Sequence, residues 1–361
     1  MTAALFDEAA YRQRMIDGGM DAETARVVAS RQAASQATLP WEPQPLAAVP
    51  TPPEAPVAEP AAEAEPVNIS GSTRKLIDTR LTIMDESPGS DDMTFMHSIM
   101  CQIGLPRSKV NDLEFERVCG AAGLYIRAGK LWDGKQFVQQ MVPYGPMPRL
   151  IMAFMNTQAL RNKTPEIEVG QSASDMLRKL GTEATGGKNG SLTMFRNQTK
   201  ALAACSMTIG FAQNDRAYTY DGKPIRQFEA WITQEEGQPA LWPGVITLSD
   251  EYYKTLREHA VPLDLRALMG LKGSALAMDI YTWLAERLHR IGPRPVILHW
   301  KSLREQFGQE FNGKDADKDF KKKFLPAFKK VLAVYPEAKA KQVTGGMMLM
   351  ASPPPIPYKP Y

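Results

Sequence analysis

Apolar positions along this chain change period several times, and each change marks an element. In YGPMPRLIMAFMNTQALR, Leu150, Ile151, Phe154 and Met155 recur at helical spacing, and Pro148 suits the first turn, where a missing N–H costs nothing. PEIEVG reads as a short strand. QSASDMLRKLG is a second helix, with Ser172 and Asp175 as a capping pair and Gly181 as its stop. A glycine-rich turn leads into a third helix, roughly Gly190 to Ala204. SMTIGFAQ and KPIRQFEAWITQ read as strands joined by NDRAYTYDG, whose Asp-Gly pair marks a hairpin turn. Upstream, TFMHSIMCQIGL, FERVCGAAGLYIRAG and KQFVQQMVP carry short apolar runs broken by glycine and proline, which predicts a β-rich entry segment.

The helix–strand–helix–helix–hairpin order recurs further on. A linker helix and a short connection occupy LSDEYYKTLREHAVPLDLRALMGL. GSALAMDIYTWLAERLHRI is a long helix with Leu276, Ile280, Leu284 and Leu288 four apart, and PVILHW is a strand. KSLREQFGQEF is a second helix and DADKDFKKKFLPAFKKVLAVYPEAKA a third, which Pro326 should kink or split. AKAKQVTGGMMLMASP closes it as a pair of strands. The expected fold class is α+β, mainly helical: tandem winged-helix domains after a disordered N-terminal tail. The expected boundaries are a tail at 1–72, a first winged-helix domain with its β-rich entry at 73–243, and a second at 244–353.

Residues 1–35 have the pattern of one amphipathic helix. Leu39 to Gly71 is so dense in proline that neither helix nor sheet forms there, and it reads as an extended linker.

Charge sharpens this division. Residues 1–72 hold four arginines against ten carboxylates, a net −6, and the remaining chain holds 39 bases against 30 acids, a net +9. A basic body behind an acidic tail attracts polyanions, of which nucleic acid is the commonest. Mean hydropathy is −0.31, and no apolar run reaches the roughly 18 residues that span a bilayer. The N-terminus lacks the basic start and apolar stretch of a secretory signal. Three widely spaced cysteines argue for a reducing compartment. The expected location is a bacterial cytoplasm, with no membrane contact.

The turn GTEATGGKNGS raises the question of nucleotide binding. A phosphate loop needs G-x-x-x-x-G-K-[ST] after a strand. Here Gly186 is followed by Gly187, Lys188 comes one place late, Asn189 replaces the hydroxyl, and a helix precedes. On the third helix, Leu192, Phe195, Thr199, Leu202 and Ala203 share one face, while Thr193, Arg196, Asn197 and Lys200 share the other. Arginine and asparagine can each make paired hydrogen bonds to guanine or adenine edges, and the helix N-terminus favours a phosphate. With Lys188 and Asn189 from the turn, this face is a candidate base-reading surface. On the last long helix Phe320, Phe324, Phe328, Val331, Leu332 and Tyr335 share a face. Lys318, Lys322 and Lys329 point away from it and suit backbone phosphates.

Other chemistries find less support. His97, Cys101 and Cys119 match no zinc spacing, and neither metal nor cofactor is expected. His97, His259, His289 and His299 contain no pair one residue apart, which origin-nicking nucleases need for a metal, so the chain is expected not to be an enzyme. Tyr218, Tyr220, Phe228 and Trp231 would lie on the first wing and could stack on bases of RNA, but covering a core suits them better.

At YGPMPRLIMAFMNTQALR, EIEVGQSASDMLRKLG and GGKNGSLTMFRNQTKALAAC the sequence resembles the plasmid-encoded RepA family of replication initiators. The likeness extends through FMHSIMCQIGLP, IRQFEAWI and SDEYYKTLREHAVPLDLRAL, over roughly residues 93 to 350. It implies a protein that binds repeated sites in the double-stranded DNA of a plasmid origin, opens an adjacent A+T-rich stretch and recruits the host initiator and replicative helicase. It further implies copy control, monomers at origin repeats and a homodimer that represses its own promoter. Arg196, Asn197 and Lys200 would then read one part of each site and Lys318, Lys322 and Lys329 hold another. Lys223 and Arg226 in the first wing, and Lys339 and Lys341 in the second, would touch backbone or minor groove. The alternative is a winged-helix transcriptional regulator, autoregulatory and without a role in initiation.

Overall fold

The computed structural model describes residues 70–357, apart from positions 121, 170–171, 189, 214–215 and 234–239; before residue 70 it describes seven positions, and for 211–218, 220 and 227–243 the backbone alone. Those seven, Ala9, Gln13, Ile16, Ala22, Glu23, Arg26 and Ser30, are helical. The proline-rich linker expected at 39–71 lies almost wholly outside the described residues. Contacts divide the chain into two units, Met1–Val67 and Asn68–Tyr361; the second is a mixed α+β fold.

That unit opens with α1 (Gly71–Asp85), capped by Ser70, whose hydroxyl accepts from the Thr73 N–H. The helix has no fully buried residue, only Leu76 and Ile83 leaning on the core, which is why periodicity did not reveal it. The β-rich entry follows as expected, with one short helix inside it: β1 (Met93–His97), α2 (Ser98–Gln102), β2 (Glu114–Cys119), β3 (Ala122–Arg127), β4 (Lys130–Trp132) and β5 (Phe137–Gln139).

The first helical group is α3 (Pro146–Asn162), β6 (Glu166–Glu168), α4 (Ala173–Lys179) and α5 (Ser191–Ala204). Its caps follow the sequence. The Ser172 hydroxyl accepts from the Asp175 N–H at 3.1 Å and donates to the Asp175 carboxylate at 2.8 Å. Gly181, at φ +57°, ends α4 in the left-handed conformation that glycine adopts without strain.

The strands after α5 differ from expectation. β7 (Ser206–Gln213) is where the sequence puts it, but most of NDRAYTYDG is a strand, β8 (Arg216–Gly222), paired to β7. Asp221 and Gly222 sit inside this ladder opposite Thr208 and Met207, not in a hairpin turn. β7 and β8 complete a four-stranded sheet in the order β2-β3-β7-β8. The hairpin that joins the helical group is instead β9 (Ile225–Thr233) with β10 (Ala240–Leu248), and its sheet runs β6-β10-β9, antiparallel throughout.

After α6 (Asp250–His259) the expected short connection is a strand, β11 (Ala260–Asp264), paired to β1 from Met93–Asp264 to His97–Ala260. Its Pro262 is tolerated in a two-stranded ladder that offers an open edge. Then come α7 (Leu265–Gly270), α8 (Ala275–Arg287), β12 (Val296–His299), α9 (Trp300–Phe307), α10 (Ala316–Val334), β13 (Ala340–Val343) and β14 (Gly346–Leu349), with the sheet order β12-β14-β13. Pro326 neither splits nor ends α10, which runs through it. Pro326 is exposed, so the Lys322 carbonyl that it leaves without an intrahelical donor is on the solvent side of the helix. Phe320, Phe324 and Phe328 turn inward at intervals of four; Trp300 and Phe307 of α9 meet Phe324 at 6.0 and 5.9 Å between ring centres.

The two groups thus follow one plan: helix, strand, helix, helix, then two strands of which the second pairs with the first strand. In the earlier group β7 and β8 interrupt that plan.

A buried ionic knot joins the groups. Asp279 of α8 accepts from Arg149 of α3 at 2.6 and 2.9 Å and from Arg107 at 3.1 Å. Arg149 also donates to the Leu105 and Gly145 carbonyls, both at 2.6 Å. Burial alone would raise the Asp279 carboxyl, but Arg149 and Arg107, with Arg117 behind them, hold it below the usual carboxylate range. A Cβ on Gly104 would lie 2.6 Å from this carboxylate, so only glycine fits there.

His97, at the end of β1, is 3% exposed. Its Nδ1 accepts from the Ile99 N–H at 3.3 Å and its ring stacks on Tyr252 at 5.8 Å. Burial, and then the charge of His259, lower its pKa to about 4. The unfolded chain therefore takes up the proton first as pH falls from 6.5 toward 4. Stability is expected to be fully present above pH 6.5 and to decline through that window by up to about 3 kcal/mol. Urea denaturation at pH 7 and pH 5 checks this: a His97→Gln variant, which keeps an acceptor, should lose most of the dependence in that window.

Candidate nucleic-acid interface

The turn before α5 is a closed clamp. Thr185 and Ser191 cap each other: the Ser191 N–H donates to Thr185 Oγ1 at 2.9 Å and the Thr185 N–H to Ser191 Oγ at 2.9 Å. The Leu192 N–H donates to the Thr185 carbonyl at 3.2 Å. A Cβ on Gly190 would lie 2.2 Å from the Thr185 carbonyl oxygen, so the clamp closes only over glycine. The first two donors of α5, the Ser191 and Leu192 N–H groups, are spent on its own turn.

Phe195, Gln198, Thr199, Leu202 and Ala203 of α5 are buried. Gln198 looks out of place among them, but its Oε1 accepts from the Tyr144 N–H at 2.8 Å and anchors the entry to α3. The opposite face divides. Asn197 is exposed. Thr193, Arg196 and Lys200 are half-buried. Thr193 donates its hydroxyl to the Gly187 carbonyl at 2.8 Å and so braces the turn. Arg196 has a buried Nε with no acceptor among the described residues, a donor whose desolvation is left uncompensated there. Burial, followed by the charge of Arg196, lowers the Lys200 pKa, and Asp133 opposes this. Lys188 is exposed on the turn, and Asn189 lies outside the described residues. Met194, 43% exposed, adds an apolar contact beside Asn197 that the helical wheel did not single out. It lies about 60° from Asn197 on the wheel, at the edge of the polar face.

Lys223 and Arg226 are not at a wing tip. Lys223 is exposed in the bend between β8 and β9. Arg226 is at the base of β9, opposite the end where Thr233 pairs with Ala240, and is ion-paired to Asp250 at 3.0 Å. The β9–β10 tip, 234–239, lies outside the described residues, as do the side chains of Tyr218, Tyr220, Phe228 and Trp231.

On α10, Lys318, Lys322 and Lys329 are exposed. Lys322 is 3.8 Å from Asp319, a loose pair between exposed groups that contributes little. Lys339 and Lys341 are exposed just before and on the first half of β13, toward the end of the hairpin away from the Thr344–Gly345 turn. Among the described residues no three His, Cys, Asp or Glu side chains group as metal ligands would, and no helix is long and apolar enough to cross a membrane.

The two groups share one plan within a mixed α+β fold, and the third helix of each turns polar and cationic side chains outward. Residues 142–300, from the approach to α3 as far as the start of α9, match the family of the plasmid encoded RepA protein. Over that stretch the chain is similar to a RepA-type plasmid replication protein, the family that its sequence motifs resemble. No curated protein and no solved structure matches it.

Proposed function

We propose that this chain is a plasmid replication initiator. In this reading the two groups are winged helices, α5 and α10 are their DNA-facing third helices, and the β9–β10 and β13–β14 hairpins are their wings. The observation that carries it is Arg196, with its unsatisfied buried donor, beside exposed Asn197 on the third helix of a segment that matches a plasmid replication family. The protein binds repeats in the double-stranded origin, opens the adjacent A+T-rich stretch and brings in the host initiator and helicase. It works in the bacterial cytoplasm, and a homodimer serves to repress its own gene and set copy number. Strand separation draws on binding and DNA bending and needs no catalysis. A regulator without an initiation role is the weaker reading, because the match is to a replication family.

Binding of the full chain to origin DNA and to a scrambled duplex, at two salt concentrations, tests this. Origin preference should survive the rise in salt while general affinity falls. Equal affinity for both duplexes would overturn the proposal, and a magnesium-dependent nick in a supercoiled origin would overturn its non-catalytic part.

The lysines of α10 make a separate prediction. If Lys318, Lys322 and Lys329 each neutralise a phosphate, replacing all three with alanine should lower the slope of log K against log salt by about 2–3. Origin preference should change little, since lysine–phosphate contacts carry no sequence information.

A further inference from the structure

The β4–β5 hairpin presents an aromatic pair to solvent. Trp132 is 54% exposed and Phe137 67%. They are direct cross-strand partners, with ring centres 5.2 Å apart and planes at 60°. Burying either ring in the protein's own core would have been favourable, so their joint exposure calls for a role.

The hairpin is built to hold them there. Leu131, on the opposite face of β4, packs against the core. Asp133 accepts from the Lys135 and Gln136 N–H groups, both at 2.8 Å, and closes the turn, with Gly134 at φ +100°. The same two backbone bonds hold the Asp133 carboxyl below its usual range. At the base, a Cβ on Gly129 would lie 2.1 Å from the Ala204 carbonyl oxygen, so the hairpin presses directly on the end of α5. β4 packs beside α5, and Asp133 is near enough to Lys200 to act on its charge.

The surroundings are cationic. Lys130 shares the aromatic face by strand alternation, and Lys135 is on the turn. Both are exposed, and neither has an ion-pair partner among the described residues. Arg196 and Lys200 line the adjacent face of α5. Flat apolar rings beside exposed cations suit a ligand that is aromatic and anionic at once, which an unpaired stretch of DNA is.

We propose that the β4–β5 hairpin is a stacking platform for unpaired DNA bases, on which Trp132 and Phe137 capture one strand of the opened origin beside the duplex held by α5. This rests on the reading of α5 as the DNA-facing helix and adds to it a site for the product of opening.

The test uses the full chain, wild type and Trp132→Ala/Phe137→Ala, with single-stranded oligodeoxythymidine and duplex origin DNA as separate probes. Affinity for the single strand should fall about tenfold or more, while duplex affinity stays within about twofold. Trp132→Phe/Phe137→Tyr, which keeps both rings, should bind the single strand as wild type does. Thermal unfolding of both variants monitors folding; the residues are exposed and their loss should leave Tm unchanged. Undiminished single-strand affinity in the alanine variant overturns the proposal, and it is also the result expected if the face docks a protein. Equal losses on both probes overturn it too, because the hairpin would then only shape α5. A wild-type chain with no origin preference would sink the initiator reading instead, and the single-strand comparison would still decide the role of the hairpin.

Discussion

Asp279→Ala should destabilise the protein by about 3–5 kcal/mol, because it leaves Arg149 and part of Arg107 buried without their counter-ion. Chemical denaturation at neutral pH checks the size. The sign with pH is equally specific. The folded-state pKa of Asp279 is depressed, so its contribution is present above the unfolded carboxylate pKa and is lost as pH falls through the folded one. The variant should therefore lose less additional stability than wild type when taken below about pH 4. Arg149 spans three segments of chain, through the Leu105 and Gly145 carbonyls and Asp279. An Asp279→Asn variant, which keeps the shape and one acceptor but not the charge, should fall between the two. An alanine variant as stable as wild type would mean that the knot contributes geometry alone.

The second large effect concerns recognition. Arg196→Ala/Asn197→Ala should lose about tenfold to a few hundredfold of the preference for origin over scrambled DNA, since each well-made bidentate contact discriminates by about 1–3 kcal/mol. Salt-dependent general binding should persist, carried by the lysines of the turn and of α10. Competition titration with both duplexes at fixed salt measures the ratio. Folding should be spared: Asn197 is exposed, and removing Arg196 also removes an unsatisfied buried Nε. If the ratio does not move, α5 is a structural helix and base reading belongs to residues 273–350.

Much of this architecture could be read from the chain. α3, α4 and α5 carry clean helical periodicity together with a proline at the start, a serine cap and a glycine stop, so local and global signals agree. The strands after α5 were harder for identifiable reasons. NDRAYTYDG has the composition of a turn, yet pairing with β7 outweighs that preference. β10 contains Pro243 and Gly244, which read as a break, and the ladder absorbs them with a register shift between Pro243 and Val245. Because of these two errors Lys223 and Arg226 were expected together on one hairpin, whereas Lys223 lies in the bend between β8 and β9 and Arg226 at the base of the β9–β10 hairpin. The polar face of α5 was visible in its spacing. The partial burial of Arg196 and Lys200 was not, because it depends on tertiary packing, including a hairpin some sixty residues upstream whose position no local pattern encodes.

The pairing of β1 with β11 has a practical consequence for dissecting the molecule. A fragment that begins at α3 would lack β1 and expose the hydrogen-bonding edge of β11, an invitation to intermolecular pairing. A fragment that stops at residue 243 would cut β10 before Val245, Ile246 and Thr247, the three residues that hold β6. Neither half carries its own complete set of ladders. Shuffling or transplanting one half into another protein would therefore require moving β1 with β11, and all of β10 with β6, as indivisible modules.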